Sequence, residues 1–106
     1  MNISHNKYDA IENLIYNEGL KIISLEINTE NGKLLIHLNN HLTFVTPTKN
    51  YIGLRNATFK QLKNYRLIGN GIGIHWKELD EDLSLKGFLQ EFLKQKIRSR
   101  RKFVIA

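Results

Sequence analysis

The residues best suited to chemistry are six cations near the C-terminus. Lys94, Lys96, Arg98, Arg100, Arg101 and Lys102 fall within nine residues. Their ammonium and guanidinium groups bind phosphates and carboxylates, and such a cluster repels itself unless an anion is present. We therefore expect this segment, the basic tail (residues 94–106), to contact a protein partner or a nucleic acid. The alternative is a solvated chain end, since cations are also favourable at a helix C-terminus.

A second charged group precedes the last predicted helix. This acidic cluster consists of Glu78, Asp80, Glu81 and Asp82. It could form an interface for a basic partner, or it could be a loop that caps the helix. The basic tail of one copy could pair with the acidic cluster of another, which would give a homodimer.

Other polar groups give weaker signals. Gly69, Gly71 and Gly73 could cradle a phosphate, but a strand is predicted to follow them, so a tight turn is the expected structure. His75 and the acidic cluster match no known ligand spacing, and His37 with His41 lack a third ligand. Lys60, Lys63 and Arg66 could add phosphate contacts or be ordinary solvated cations. We expect no metal site, no cofactor and no catalytic residue.

The net charge of +6 belongs to the basic tail alone. The chain of 106 residues has 16 Lys and Arg against 10 Asp and Glu, and six of those cations lie in the basic tail. The other ten balance the ten acids, so residues 1–93 are formally neutral. Cysteine is absent, which excludes disulfides and makes a cytoplasmic location the expectation. No apolar run approaches the roughly 20 residues of a membrane span.

The pattern of apolar residues predicts the elements that position these groups. A helix is expected over residues 8–17, ending before Gly19. From residue 20 the period changes to two, with Ile23, Leu25 and Ile27 on one face of a strand. Asn31 and Gly32 predict a hairpin in which both residues can take positive φ. Strands at 33–38 and 42–45 complete a three-stranded meander.

The second half predicts a short helix, a hairpin and a long helix. Thr58 can cap the short helix, with Phe59 and Leu62 facing inward. Strands are expected at 65–68 and 71–76, with Trp76 in the core and His75 on the opposite face. The last helix has a broad apolar stripe formed by Leu85, Phe88, Leu89, Phe92, Leu93 and Ile97, and Asp82 or Ser84 can cap it. The expected class is α+β: a small curved antiparallel sheet, a meander plus a later hairpin, packed against helices. Residues 1–93 form one domain, followed by the basic tail.

Several of these segments together resemble a known bacterial family. They are Leu34 to Leu38, Pro47, Leu54-Arg55-Asn56-Ala57-Thr58, Gln61-Leu62, Asn64-Tyr65 and the run Gly71-Ile72-Gly73-Ile74-His75-Trp76-Lys77-Glu78-Leu79-Asp80-Glu81-Asp82-Leu83-Ser84-Leu85. Over residues 21–93 the chain resembles the family catalogued as domain of unknown function twenty-four forty-two, with its "GIHW" segment and "LDEDIS"-like sequence.

The resemblance implies a small α+β fold and supplies no catalytic residues. Family members are often encoded beside another small protein, in an arrangement similar to toxin–antitoxin pairs. Some carry a helix-turn-helix after the core, and we expect none in residues 94–106, which are interpreted as a helix end and the basic tail. We therefore expect a non-enzymatic binding module that acts on a macromolecular partner, as an antitoxin-like or inhibitory protein. The alternative is a nucleic-acid-binding protein that uses the basic tail.

Overall fold

Two antiparallel three-stranded sheets form the frame of the molecule. The structure, a computed structural model, describes residues 8–105, with side chains for residues 8–95. The first sheet contains β1 (Ile22–Asn28), β2 (Lys33–Leu38) and β3 (Thr43–Pro47), and the second contains β4 (Arg66–Ile68), β5 (Gly73–Trp76) and β6 (Glu81–Ser84), each in chain order. The α+β class and the meander are confirmed. The strands form two sheets rather than one, and β6 extends the predicted later hairpin into a second three-stranded meander.

Helices fill the connections and the chain ends. They are α1 (Ala10–Glu12), which continues as a π-helical turn (Asn13–Asn17), then α2 (Phe59–Lys63) and α3 (Leu85–Ile105). Two short 3-10 helices, Thr48–Asn50 and Ile52–Leu54, link β3 to α2. Within the part of the chain that the structure describes, no helix is long and apolar enough to cross a membrane.

The first sheet buries one face, as the alternation predicts, with one correction in β1. In β2, Leu34, Ile36 and Leu38 are fully buried. The prediction that Ile23 lies on the buried face is wrong, because its side chain is 55% exposed while that of Ile22 is buried. A register shift between Ile22 and Ser24 explains this. The extra residue of a bulge moves one side chain to the other face without disturbing the rest of the strand.

The β1–β2 turn uses its two signal residues differently from the prediction. Gly32 has a φ of 63°, whereas Asn31 does not have positive φ. The turn is instead tightened by the Asn28 side chain, whose Oδ1 accepts a hydrogen bond from the Asn31 N–H at 3.1 Å. Such a bond mimics a backbone turn.

The second sheet is anchored to α2 through Trp76. Its side chain is fully buried, and its indole Nε1 donates to the Leu62 carbonyl at 2.8 Å. The predicted cap of α2 is confirmed, since Thr58 Oγ1 accepts from the Gln61 N–H at 3.1 Å. The inward orientation expected for Phe59 is wrong. Its ring is half exposed, and the Lys63 ammonium lies 5.8 Å from its centroid.

The two sheets meet along the outer edge of β1. Tyr65 places its hydroxyl 3.1 Å from the Leu25 N–H and 3.4 Å from the Leu25 carbonyl oxygen. The Gly71 carbonyl accepts a hydrogen bond from the Ile22 N–H at 2.8 Å. Both contacts satisfy backbone groups that the edge strand would otherwise leave unpaired. The turn around Gly71 therefore links the second sheet to the first.

The N-terminal helix is held against α3 by a charged contact. The Lys86 ammonium donates to Glu12 Oε2 at 2.9 Å. This hydrogen bond lowers the pKa of Glu12 and raises the pKa of Lys86. Asp9 caps α1, and Ile15 in the following turn is buried.

Among residues 85–95, whose side chains the structure describes, α3 is buried only near its start. Leu85, Phe88 and Leu89 are buried, while Phe92 and Leu93 are 40% and 47% exposed. The side chain of Ile97, the last member of the predicted stripe, lies outside the described residues. Ser84, one of the two predicted caps, accepts a hydrogen bond from the Gly87 N–H at 3.0 Å. With a rise of about 1.5 Å per residue, most of the helix extends past its buried first turns.

Candidate functional site

An open cleft lies where β6, the first 3-10 helix and α3 come together. Its volume is about 490 Å³, and its lining residues are Asn50, Tyr51, Asp82, Leu83, Ser84, Gly87, Phe88 and Glu91. We call it the acidic cleft, because Asp82 and Glu91 are its two charged lining residues. β6 supplies Asp82 and α3 supplies Glu91, so the carboxylates come from two different elements.

Tyr51 and Phe88 give the acidic cleft an aromatic wall. Their ring centroids lie 6.0 Å apart with the planes at 90°, the edge-to-face arrangement that aromatic pairs favour. The Tyr51 hydroxyl lies 3.1 Å from Thr46 Oγ1. Burial raises the pKa of Tyr51, and the neighbouring Glu91 carboxylate adds to this effect. The phenol therefore stays neutral near pH 7 and can donate or accept a hydrogen bond.

The structure divides the acidic cluster among different surroundings. Glu78 Oε2 accepts a hydrogen bond from Gln61 Nε2 at 2.7 Å, which ties it to α2. Asp80 takes positive φ in the tight turn before β6. Glu81 packs over Gly53, where an added Cβ would lie 2.0 Å from Glu81 Oε1. Only Asp82 lines the acidic cleft.

The loop predicted for the acidic cluster is wrong at its end, where Glu81 and Asp82 belong to β6. Trp76 pairs with Glu81 and His75 pairs with Asp82 across the two strands. Directly opposite residues share a face of the sheet, so Asp82 lies with His75 on the solvated face, whereas Glu81 lies on the face of buried Trp76 and is partly buried. An acid such as Asp82 is compatible with a strand that has one solvated face. The acidic residues are thus partly a strand rather than a capping loop.

Each sheet carries an outward histidine on its central strand, bonded to an acid on a neighbouring strand. His75 Nδ1 is hydrogen-bonded to Asp82 Oδ1. His37 Nε2 lies 2.5 Å from Glu26 Oε1, and its Nδ1 lies 2.8 Å from Thr43 Oγ1. His41 takes positive φ in the β2–β3 turn and is exposed. Among the described residues, no three histidine or carboxylate side chains come together in a group that could hold a metal ion.

The glycine-rich run occupies structural positions, in a turn and in β5. Gly69 and Gly71 both have positive φ in the turn between β4 and β5, as expected for a tight turn. Gly73 lies within β5 and pairs with Ser84 of β6. The Lys60 and Arg66 side chains are exposed.

The basic tail continues α3. The helix backbone extends to Ile105, and Lys94 is exposed. The side chains of Lys96, Arg98, Arg100, Arg101 and Lys102 lie outside the described residues. The structure therefore places the predicted cations on a helical segment without describing the contacts of five of them.

Comparison with known proteins identifies the family. A family model described as "Protein of unknown function (DUF2442)" matches residues 22–94. The chain belongs to this family. The match covers the region from β1 into α3, including the acidic cleft, and ends at the first cation of the basic tail. No curated protein matches the chain.

Two solved structures share the fold of this family member. A protein of unknown function from Rhodospirillum rubrum ATCC 11170 is 30% identical, with a TM-score of 0.62, over 68% of this chain and 87% of that one. An uncharacterized protein from Chromobacterium violaceum, whose solution structure was determined by NMR, is 26% identical, with a TM-score of 0.64, over 85% of each chain.

Most residues of the acidic cleft carry no clear signal in the sequence. Glu91 follows Gly87 by four residues, so the helix period places both on one side of α3. That spacing was a usable local signal. The contribution of Asn50 and Tyr51 depends on how the 3-10 helix folds against α3, and no local pattern predicts that contact.

Proposed function

We propose that this family member is a non-enzymatic binding module for a protein partner, and that the acidic cleft receives a positively charged segment of that partner. The observation that carries the proposal is that Asp82 of β6 and Glu91 of α3 line one open cleft, beside Tyr51 and Phe88. Carboxylates bind the arginine fork or the lysine ammonium, and aromatic faces attract the same cations.

In this proposal the His75–Asp82 pair prepares Asp82 for binding. His75 Nδ1 is hydrogen-bonded to Asp82, and the two residues face each other across β5 and β6. This bond orients the Asp82 carboxylate, whose side chain remains 69% exposed. An oriented carboxylate loses less conformational entropy when it binds a cation.

The choice of partner in this proposal rests on the family resemblance. Because related chains are often encoded beside another small protein, we propose that the neighbouring gene product is the partner. This chain would then be the antitoxin-like or inhibitory member of the pair.

Removing the Glu91 charge should weaken this complex. We expect the wild-type chain and the neighbouring gene product to associate at micromolar concentration in isothermal titration calorimetry. Glu91→Gln should raise the Kd at least about tenfold, because a charge-assisted hydrogen bond contributes about 1.5–3 kcal/mol.

Glu30→Gln is the matched control, since Glu30 is an exposed residue of the β1–β2 turn and undergoes the same change in charge. It should bind as the wild type does. No association at micromolar concentration would contradict the choice of partner. Association that is equally tight with Glu91→Gln would contradict the role of the acidic cleft.

A second candidate function is nucleic-acid binding through the basic tail, favoured by the continuation of α3 to Ile105. A chain that ends at residue 93 keeps Leu85, Phe88 and Leu89, which are buried in the described part of α3. We expect it to lose most of its affinity for a duplex oligonucleotide in fluorescence anisotropy. The slope of log K against log salt should fall by up to about 0.9 per phosphate contact removed. Equal affinity of both chains would exclude this role of the tail.

A further inference from the structure

The outer edge of β3 carries backbone groups that face away from its sheet. The Leu38 N–H donates to the Leu42 carbonyl, and the Thr48 N–H donates to the Gly32 carbonyl, both at 2.9 Å. These bonds lie at the two ends of the β2–β3 pairing and show which of its residue pairs are hydrogen-bonded. Because hydrogen-bonded and non-hydrogen-bonded pairs alternate in an antiparallel ladder, the N–H and C=O groups of Thr43 and Val45 point outward.

The two outer strands of the first sheet differ in whether their outward backbone groups have hydrogen-bond partners. The edge of β1 is covered by the Tyr65 hydroxyl and the Gly71 carbonyl. Within residues 8–95, the outer backbone groups of Thr43 and Val45 have no such partner. An uncovered strand edge is a template for pairing with another strand.

The side chains of this edge favour pairing. Residues 42–48 read Leu-Thr-Phe-Val-Thr-Pro-Thr and contain no charge. Leu42 and Val45 are 58% and 59% exposed. Lysine residues and bulges usually protect an exposed edge from association, and neither is present here. Pro47 limits the pairing segment, since it has no N–H to donate.

We propose that β3 pairs with β3 of a second copy, antiparallel about a two-fold axis at Phe44. Thr43 of each copy then faces Val45 of the other, and their outward groups form four backbone hydrogen bonds. The segment suits a copy of itself, because its outward residues are placed symmetrically about Phe44 and it bears no charge to repel its twin. The first sheet of one copy and the first sheet of the other then form one continuous sheet of six strands.

An aromatic contact adds to the proposed β3–β3 interface on the core side of the sheet. Phe44 and Phe92 have ring centroids 5.1 Å apart, and Phe92 is 40% exposed. At the two-fold axis the two Phe44 residues form a non-hydrogen-bonded pair, in which Cα atoms lie about 4.5 Å apart. Each Phe44–Phe92 pair then lies next to its symmetry mate, so pairing removes further apolar surface from water.

The test is the mass of the full chain in solution, measured by sedimentation equilibrium between about 1 and 100 μM. We expect a dimer for the wild type. Val45→Pro removes an outward N–H without touching the β2 ladder, and Val45→Lys places a charge on the edge. Each should raise the dimer Kd at least about tenfold. Val45→Thr, which is β-branched and neutral, should remain dimeric and serves as the matched control.

Two further readouts separate this interface from others. The Thr43 and Val45 amides should exchange hydrogen more slowly as concentration rises, whereas the amide of exposed Glu30 should not change. A wild-type chain that is monomeric at 100 μM would overturn the proposal. So would a dimer that Val45→Lys leaves intact but that removal of residues 94–106 dissolves, since the basic tail would then form the interface.

Discussion

Replacing Trp76 with alanine should lower the free energy of unfolding by about 3–5 kcal/mol, the cost of removing a large aromatic side chain from a core. Trp76 is fully buried on β5 among Leu62, Ile74 and the other core residues. Its removal leaves a cavity beneath the second sheet, and the Leu62 carbonyl loses its indole donor. Urea unfolding followed by circular dichroism measures the change, since Trp76 is the only tryptophan and its fluorescence would be lost.

Trp76→Phe separates the two parts of this loss. Phenylalanine keeps much of the apolar ring but cannot donate to the Leu62 carbonyl. We therefore expect a smaller decrease, with about 1–3 kcal/mol from the unpaired buried group and a further part from the lost ring volume. A decrease below about 1 kcal/mol for Trp76→Ala would mean that Trp76 does not anchor the second sheet to α2.

The sequence predicts best where a local period and a buried face coincide. Leu34, Ile36 and Leu38 alternate strictly in β2 and are all buried. The same alternation places Trp76 in the core and His75 on the opposite face, as observed. Thr58 and Ser84 are found as caps because a capping side chain bonds within three residues, which is a local event.

Prediction fails where one strand must adjust to another. Ile23 continues the apolar alternation of β1, yet a bulge exposes it, and nothing in the alternation announces the extra residue. Glu81 and Asp82 resemble a polar loop because they continue a run of acidic residues. Their place in β6 is set by pairing with Trp76 and His75. Both errors concern contacts between strands rather than local propensity.

The sequence predicts one of the two carboxylates of the acidic cleft, because their meeting depends on contacts between elements. Asp82 stands out in the sequence as part of a charge cluster, but so do Glu78, Asp80 and Glu81, and only Asp82 lines the acidic cleft. Glu91 is a single exposed carboxylate in an amphipathic helix. Such residues are common, so the sequence does not single it out as part of a site. The two become one site because Ser84 joins β6 directly to α3, so that the strand and the first turns of the helix share a wall.

Replacing Gly71 with alanine should lower the free energy of unfolding by about 3 kcal/mol. Gly71 has a φ of 94°, and an added Cβ would lie 2.5 Å from the Ile22 carbonyl oxygen. That oxygen belongs to the backbone of β1, so it cannot rotate away as a side chain could. The turn must therefore separate from β1, which breaks the hydrogen bond from the Ile22 N–H to the Gly71 carbonyl.

Gly19→Ala provides the matched control, because it carries the same conformational strain without the collision. Gly19 has a φ of 76°, and nothing lies within 4 Å of its added Cβ. Its substitution should cost only about 1–2 kcal/mol, the penalty for a left-handed alanine. The difference between the two variants, measured by urea unfolding, isolates the contact between the sheets. Equal losses would mean that the two sheets do not depend on a close approach at Gly71, and that the strained turn alone explains the glycine.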